Sequence, residues 1–219
     1  MKSIFCLLVS MLIFCVTASP IKSMIGADGT GIISSDDKPY DSEVEYIEST
    51  GTQYIDTGIL SSNDLDVELA FEVVPFSGEQ RIFGQSTISY VYRFGYTSTG
   101  VFVSDGSDYS YSDNVVSGNN YTIRLIGKDF YCNGSFVRSM YNRKIGEDYC
   151  YIFAWNRAPM IYGKMRLNYC IIRSVSTEEV LRYFVPVRKN RVGYLYDLVS
   201  EELFGNRGSG SFVIGPDKD

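Results

Sequence analysis

Asp64-Leu-Asp-Val-Glu-Leu-Ala-Phe-Glu-Val-Val74 alternates along its whole length. Leu65, Val67, Leu69, Phe71 and Val73 fall on one side, and Asp64, Asp66, Glu68, Ala70 and Glu72 on the other. Successive strand residues point to opposite faces, so the pattern predicts a half-buried antiparallel strand, apolar inward and acidic outward. Working outward, further short strands are predicted at Arg81–Gly84, Tyr90–Tyr96, Gly100–Ser104, Tyr121–Ile126, Asp129–Cys132 and Ser135–Arg138. Cys150–Ala154, Lys164–Arg173, Leu181–Val187, Gly193–Asp197 and Ser211–Ile214 follow. Asn133-Gly134 between two apolar runs predicts a hairpin, because both central turn positions need φ above zero. One helical turn is predicted, at Ser176–Leu181, with Ser176 as its cap and Glu179 three residues on. Many short strands joined by Gly, Asn, Asp and Ser turns predict an all-β fold, a two-sheet antiparallel jelly-roll sandwich.

Composition agrees and removes several function classes. The 219-residue chain is 45% hydrophobic, enough for one domain with a full core. Aromatics make up 15%, which favours strands. The net charge is −6 and no basic run is present, which argues against a nucleic-acid partner. Histidine is absent, so His triads, His metal sites and a His general base are excluded.

Lys2, the apolar stretch Ile4–Val16 and the small residues Thr17, Ala18 and Ser19 have the order of a secretory signal peptide. The stretch is shorter than the roughly 20 residues that span a bilayer. Residues 1–18 are therefore expected to be a signal, 19–42 a flexible linker, 43–215 the folded domain and 216–219 a tail. A secreted, periplasmic or cell-surface location follows, with no membrane span after cleavage. A lipid on Cys15 is the alternative, and bulky Phe14 before it argues against it. Cleavage leaves Cys132, Cys150 and Cys170, read as small buried hydrophobes in strands or as one disulfide plus a free thiol.

Glu45-Tyr-Ile-Glu-Ser-Thr-Gly-Thr-Gln-Tyr-Ile-Asp-Thr-Gly58 resembles the opening segment of secreted bacterial concanavalin A-like (laminin-G-like) jelly-roll domains. Phe184-Val-Pro-Val-Arg188, Gly193-Tyr-Leu-Tyr-Asp-Leu198 and Gly208-Ser-Gly-Ser-Phe212 are similar to its closing segment. Ile152-Phe-Ala-Trp-Asn156 and Gly163-Lys-Met-Arg-Leu167 are similar to its late core strands. The resemblance implies a sandwich whose first strand pairs near its last, with one face and the loops above it available to glycans. Function does not follow from it, because this fold hosts lectins, adhesins, glycanases and scaffolds.

Three constellations could carry chemistry. Laminarinase-type glycanases of the same superfamily use a Glu-x-Asp-x-Glu strand, and Asp64-Leu-Asp-Val-Glu68 resembles it with Asp64 in place of the first Glu. That shorter side chain would withdraw a nucleophile, so the preferred reading of Asp64, Asp66 and Glu68 is a solvated strand face. Asp105, Asp108, Asp113 and Asn114 offer hard oxygen ligands on one loop, the only candidate for a cofactor, Ca²⁺. A sugar site needs aromatic faces with polar groups converging on them. Trp155, Asn156 and Arg157 at a strand end, with Tyr109 and Tyr111 in the loop, are the first choice for ligand contacts. Tyr90, Tyr92, Phe94 and Tyr96 share a strand face that reads as core. The function expected is a secreted non-catalytic module binding a glycan or a surface protein through loops and one sheet face. A structural or adhesin-like protein with no small ligand and a glycoside hydrolase are the alternatives. The oligomeric state is left open.

Overall fold

The structure is a computed structural model that describes residues 38–86, 91–104, 109–111, 114–140 and 148–218. The predicted strand at its centre forms as Leu65–Glu72, with Leu65 3% exposed and Val67, Leu69 and Phe71 fully buried. Burying side chains of this size stabilises by about 2 kcal/mol each, which is why the alternation decides the fold. On its two sides Leu65–Glu72 pairs with Asn120–Ile126 and Lys164–Ser174. The sheet continues from Asn120–Ile126 to Asp129–Cys132 and Ser135–Ser139, and from Lys164–Ser174 to Val180–Lys189, Val192–Asp197 and Glu202–Phe204. A second sheet runs in the order Ile55–Leu60, Tyr149–Ile152, Gln80–Ser86, Val91–Thr97, Gly100–Ser104, Tyr109–Tyr111. Strand ladders are antiparallel throughout the described residues.

The two sheets form a sandwich of the jelly-roll kind. Phe71 of the larger sheet stacks on Tyr96 of the smaller, centroids 5.9 Å apart, and Phe83 meets Phe94 edge to face at 5.4 Å. Tyr92 and Phe94 are buried with them, as the core reading of that face requires, while Tyr90 lies outside the described residues. Cys132, Cys150 and Cys170 are buried free thiols. Asn133 and Gly134 take φ of 49° and 77°, so the hairpin turn has the geometry its sequence demands.

The end motifs meet. Val213–Ile214 pairs with Ile47–Thr50. Gln53, 2% exposed, organises the junction: its Oε1 accepts from the Thr50 backbone N–H at 2.9 Å, and its Nε2 donates to the Ser211 carbonyl at 3.2 Å. The ordered body also reaches beyond 43–215. Tyr40 packs edge to face on Tyr196 at 5.0 Å, Ser42–Glu43 is a strand, and Lys218 donates its backbone N–H to Glu43.

One predicted element is corrected. Ser176–Leu181 is not a helical turn; the described residues contain no helix, and the chain turns at 175–177 and re-enters a strand at Val180. The Asp64 carboxylate captures the groups a helix would need, accepting from Ser176 N at 2.8 Å, Ser176 Oγ at 3.0 Å and Ser174 Oγ at 2.6 Å. Glu178 then takes φ of 60°, which stops propagation.

Candidate binding cleft

A cleft of about 420 Å³ opens where an edge strand of the smaller sheet, Ile55–Leu60, meets the edge strand of the larger, Glu202–Phe204. Asp56, Glu202, Leu203, Phe204, Gly205 and Arg207 line it. The size suits a small ligand. Local sequence builds each side. Ile55 and Thr57 point inward and are buried, so Tyr54 and Asp56 point outward. The loop after Phe204 is stapled to the opening motif: Arg207 donates its backbone N–H to the Tyr54 carbonyl at 2.9 Å, and Ser209 donates to that of Thr52 at 3.0 Å. Asn206 Oδ1 accepts from Tyr54 N at 3.2 Å and Gly208 N at 2.8 Å.

Tyrosines form the adjoining wall. Tyr151 stands opposite Asp56 in the strand register. Its ring lies 4.7 Å from that of Tyr54, and the Tyr162 ring is 6.3 Å from that of Tyr54. All three are half-buried, and their hydroxyls make no hydrogen bond among the described residues. Burial, with Asp56 and Asp148 nearby, raises the Tyr151 phenol and keeps its ring neutral. Asp56 Oδ1 accepts from Gly58 N at 2.9 Å. The side chains of Glu202 and Arg207 are exposed and engage no protein partner among the described residues. Beside the cleft, Arg182 crosses between the sheets, donating from Nε to the Thr57 carbonyl at 3.3 Å with its guanidinium 5.7 Å from the Phe204 ring. Asp56, Glu202 and Arg207 thus line the cleft, and the tyrosines cluster next to Asp56.

The residues singled out from the sequence lie elsewhere. Trp155 is 1% exposed, its Nε1 donates to the Phe94 carbonyl at 2.9 Å, and Arg81 and Arg93 sit 4.9 and 4.8 Å from its ring centre. Its ring is thus closed to stacking by a ligand. It anchors the Ala154–Trp155 strand, whose partner Ile161–Tyr162 carries Tyr162 to the wall. Asn156 caps this segment, donating from Nδ2 to the Tyr149 carbonyl at 3.1 Å, and half-buried Arg157 follows it. Tyr109 and Tyr111 belong to a short strand beside Gly100–Ser104, and their side chains lie outside the described residues. Asp105, Asp108 and Asp113 lie outside them too, and among the described residues no group of three His, Cys, Asp or Glu side chains is placed to hold a metal ion.

The acidic strand carries its carboxylates on the outer face of the larger sheet, paired with neighbouring strands. Asp66 is 5% exposed and receives Arg124 through two bonds of 2.8 and 2.6 Å, with Arg173 at 3.3 Å. Glu68 accepts from Tyr169 Oη at 2.9 Å and from Arg173 at 3.3 Å, and Asp64 is held by Ser174 and Ser176. Burial and the bond to Glu68 push the Tyr169 phenol up to about 12. These side chains form an ion-paired lattice on the outer face of the larger sheet, outside the cleft, so they do not present the paired free carboxyls of a glycosidase. Sequence reasoning passed over Tyr54, Asp56, Tyr151, Glu202 and Arg207. Only the outward phase of Tyr54 and Asp56 signalled them.

No family model matches the chain, and no curated protein matches it. Among solved structures it is similar to a candidate carbohydrate binding protein from Bacteroides ovatus, with a TM-score of 0.56 and 12% identity over 81% of this chain and 61% of that one. The likeness is one of fold. The chain spans about 61% of that protein's length. No described helix is long and apolar enough to cross a membrane.

Proposed function

We propose that the chain is an exported, non-catalytic carbohydrate-binding module whose ligand lies in the cleft against the tyrosine wall. The tyrosine cluster beside Asp56, a residue of the same cleft as the unengaged side chains of Glu202 and Arg207, carries this reading. Sugar rings present C–H faces that lie on Tyr151 and Tyr54, with each aromatic contact contributing about 0.5–1.5 kcal/mol. Asp56 and Glu202 accept from hydroxyls and Arg207 donates to a hydroxyl or ring oxygen, each bond contributing about 1 kcal/mol net. The fold shared with a candidate carbohydrate binding protein supports the same reading.

A glycan array followed by titration of the retained sugars tests it. Tyr151→Ala and Arg207→Ala are each expected to weaken binding about three- to tenfold, with melting temperatures close to that of the parent. If no glycan is retained, or if both variants bind as the parent does, the proposal fails.

A further inference from the structure

We infer that the cleft selects glycans carrying free amino groups, protonated hexosamines, over neutral sugars and against uronic acids. The inference rests on the reading of the cleft as a sugar site and adds the charge of the ligand. Its lining holds two carboxylates, Asp56 and Glu202, against one guanidinium, Arg207. No ion pair joins Arg207 to either carboxylate.

The carboxylates on the outer face of the larger sheet and beside the cleft are handled differently. On the outer face of the larger sheet Asp66, Glu68, Glu48 and Glu72 are all matched, by Arg124, Arg173 and Arg166. Next to the cleft, buried Asp197 faces Arg182 at 3.6 Å. Glu202 has no such partner. The tyrosine wall adds to the selection, because the negative face of an aromatic ring attracts a cation as well as a C–H face. An ammonium on the sugar therefore meets carboxylates at its edge and aromatic rings beneath it. A uronate meets the same carboxylates with the opposite sign, and Arg207 offsets only one of them.

A unit charge about 6 Å from one unmatched carboxylate, at an effective dielectric of about 40–80, changes affinity by about 3- to 10-fold. The test is calorimetric titration of the whole chain with four tetrasaccharides: glucosamine, N-acetylglucosamine, glucose and galacturonate. A pH of about 6 keeps the amines protonated. The glucosamine tetramer is expected to bind at least about tenfold more tightly than the galacturonate tetramer, with the difference shrinking as salt is raised. Glu202→Gln keeps the shape and removes the charge. It is expected to weaken the glucosamine tetramer about 3- to 10-fold and to leave the glucose tetramer within about twofold. Equal or tighter binding of galacturonate, or a Glu202→Gln effect of the same size on charged and neutral tetramers, overturns the inference. If the glucose tetramer still binds in a Tyr151-dependent way in that case, the sugar site stands without its charge preference. If no tetramer binds in a Tyr151-dependent way, both fall.

Discussion

Replacing Asp197 by Asn removes one negative charge and almost no volume, yet it is expected to cost much of the domain's stability. Asp197 is fully buried at the end of Val192–Asp197. Its Oδ1 accepts from Tyr183 N at 2.7 Å and Val199 N at 3.2 Å. Its Oδ2 accepts from Ser200 N at 3.2 Å and Ser200 Oγ at 2.8 Å, with Arg182 Nε at 3.6 Å. A nitrogen in the Oδ1 position faces the Tyr183 and Val199 N–H groups, and one in the Oδ2 position faces the Ser200 N–H, where only the Ser200 hydroxyl can turn to accept. Either way round, at least one backbone N–H is left unsatisfied, which costs about 1–3 kcal/mol. The remaining bonds lose their charge assistance, and the Arg182 guanidinium loses its counter-charge. A total of about 3–4 kcal/mol results. For a domain of this size each kcal/mol lowers the melting temperature by about 2–4 °C, so Asp197→Asn melts roughly 6–16 °C lower. Circular dichroism melts and urea titrations at neutral pH measure it, with an unchanged m-value showing that the same surface unfolds. A melting temperature within about 2 °C of the parent would refute the argument that the acceptors, not the shape, hold this turn.

Three further outcomes follow. An added Cβ at Gly163 would stand 1.9 Å from the Arg81 carbonyl oxygen, so Gly163→Ala is expected to be insoluble or to melt more than about 10 °C lower, whereas Gly78→Ala, with φ of +67° but open space around it, loses only about 1–2 kcal/mol, read by the same melts. Bonds from Ser174 and Ser176 hold the Asp64 carboxyl below its ordinary 3.8, so its contribution is whole above that value and lost as pH falls through the lower folded one. Asp64→Asn therefore melts below the parent at neutral pH, with the gap closing in strong acid, and a gap independent of pH sinks the assignment. Burial pushes the Cys170 thiol well above the ordinary thiol range, and Cys132 and Cys150 are buried too. All three are expected to resist an aromatic disulfide reagent in the native protein and to titrate in full in denaturant; a missing pair of thiols would mean a bridge.

The sandwich was legible because burial imposes a period of two on every strand that has one wet face. Leu65 to Phe71 obey it, and the Asn133-Gly134 turn obeys an equally local rule. The Ser176 turn was not legible. The group that redirects it, Asp64, lies more than a hundred residues away in sequence and touches it only through the pairing of Leu65–Glu72 with Lys164–Ser174. The partners of the acidic strand are set at equally long range. Asp66 and Glu68 look like free carboxyls until the register brings Arg124 from one neighbouring strand and Arg173 from the other.

The candidate site depends wholly on such distant juxtapositions. Trp155 suggests a ligand contact in the sequence because an aromatic face and polar groups come together at a strand end, but two arginines from separate strands already sit within about 5 Å of its ring centre. The aromatics beside the cleft are tyrosines that the one-dimensional pattern treats as ordinary outward strand positions. Tyr54 and Tyr151 become neighbours only when Tyr149–Ile152 pairs with Ile55–Leu60, and Tyr162 joins them only because Trp155 holds its partner strand down. Trp155 therefore acts on the site through position. Trp155→Phe would lose the bond to the Phe94 carbonyl and loosen the strand that carries Tyr162, so it should weaken glycan binding less than Tyr151→Ala while lowering the melting temperature more. A Trp155→Phe variant with parental stability and abolished binding would reverse that order and return the indole to the ligand.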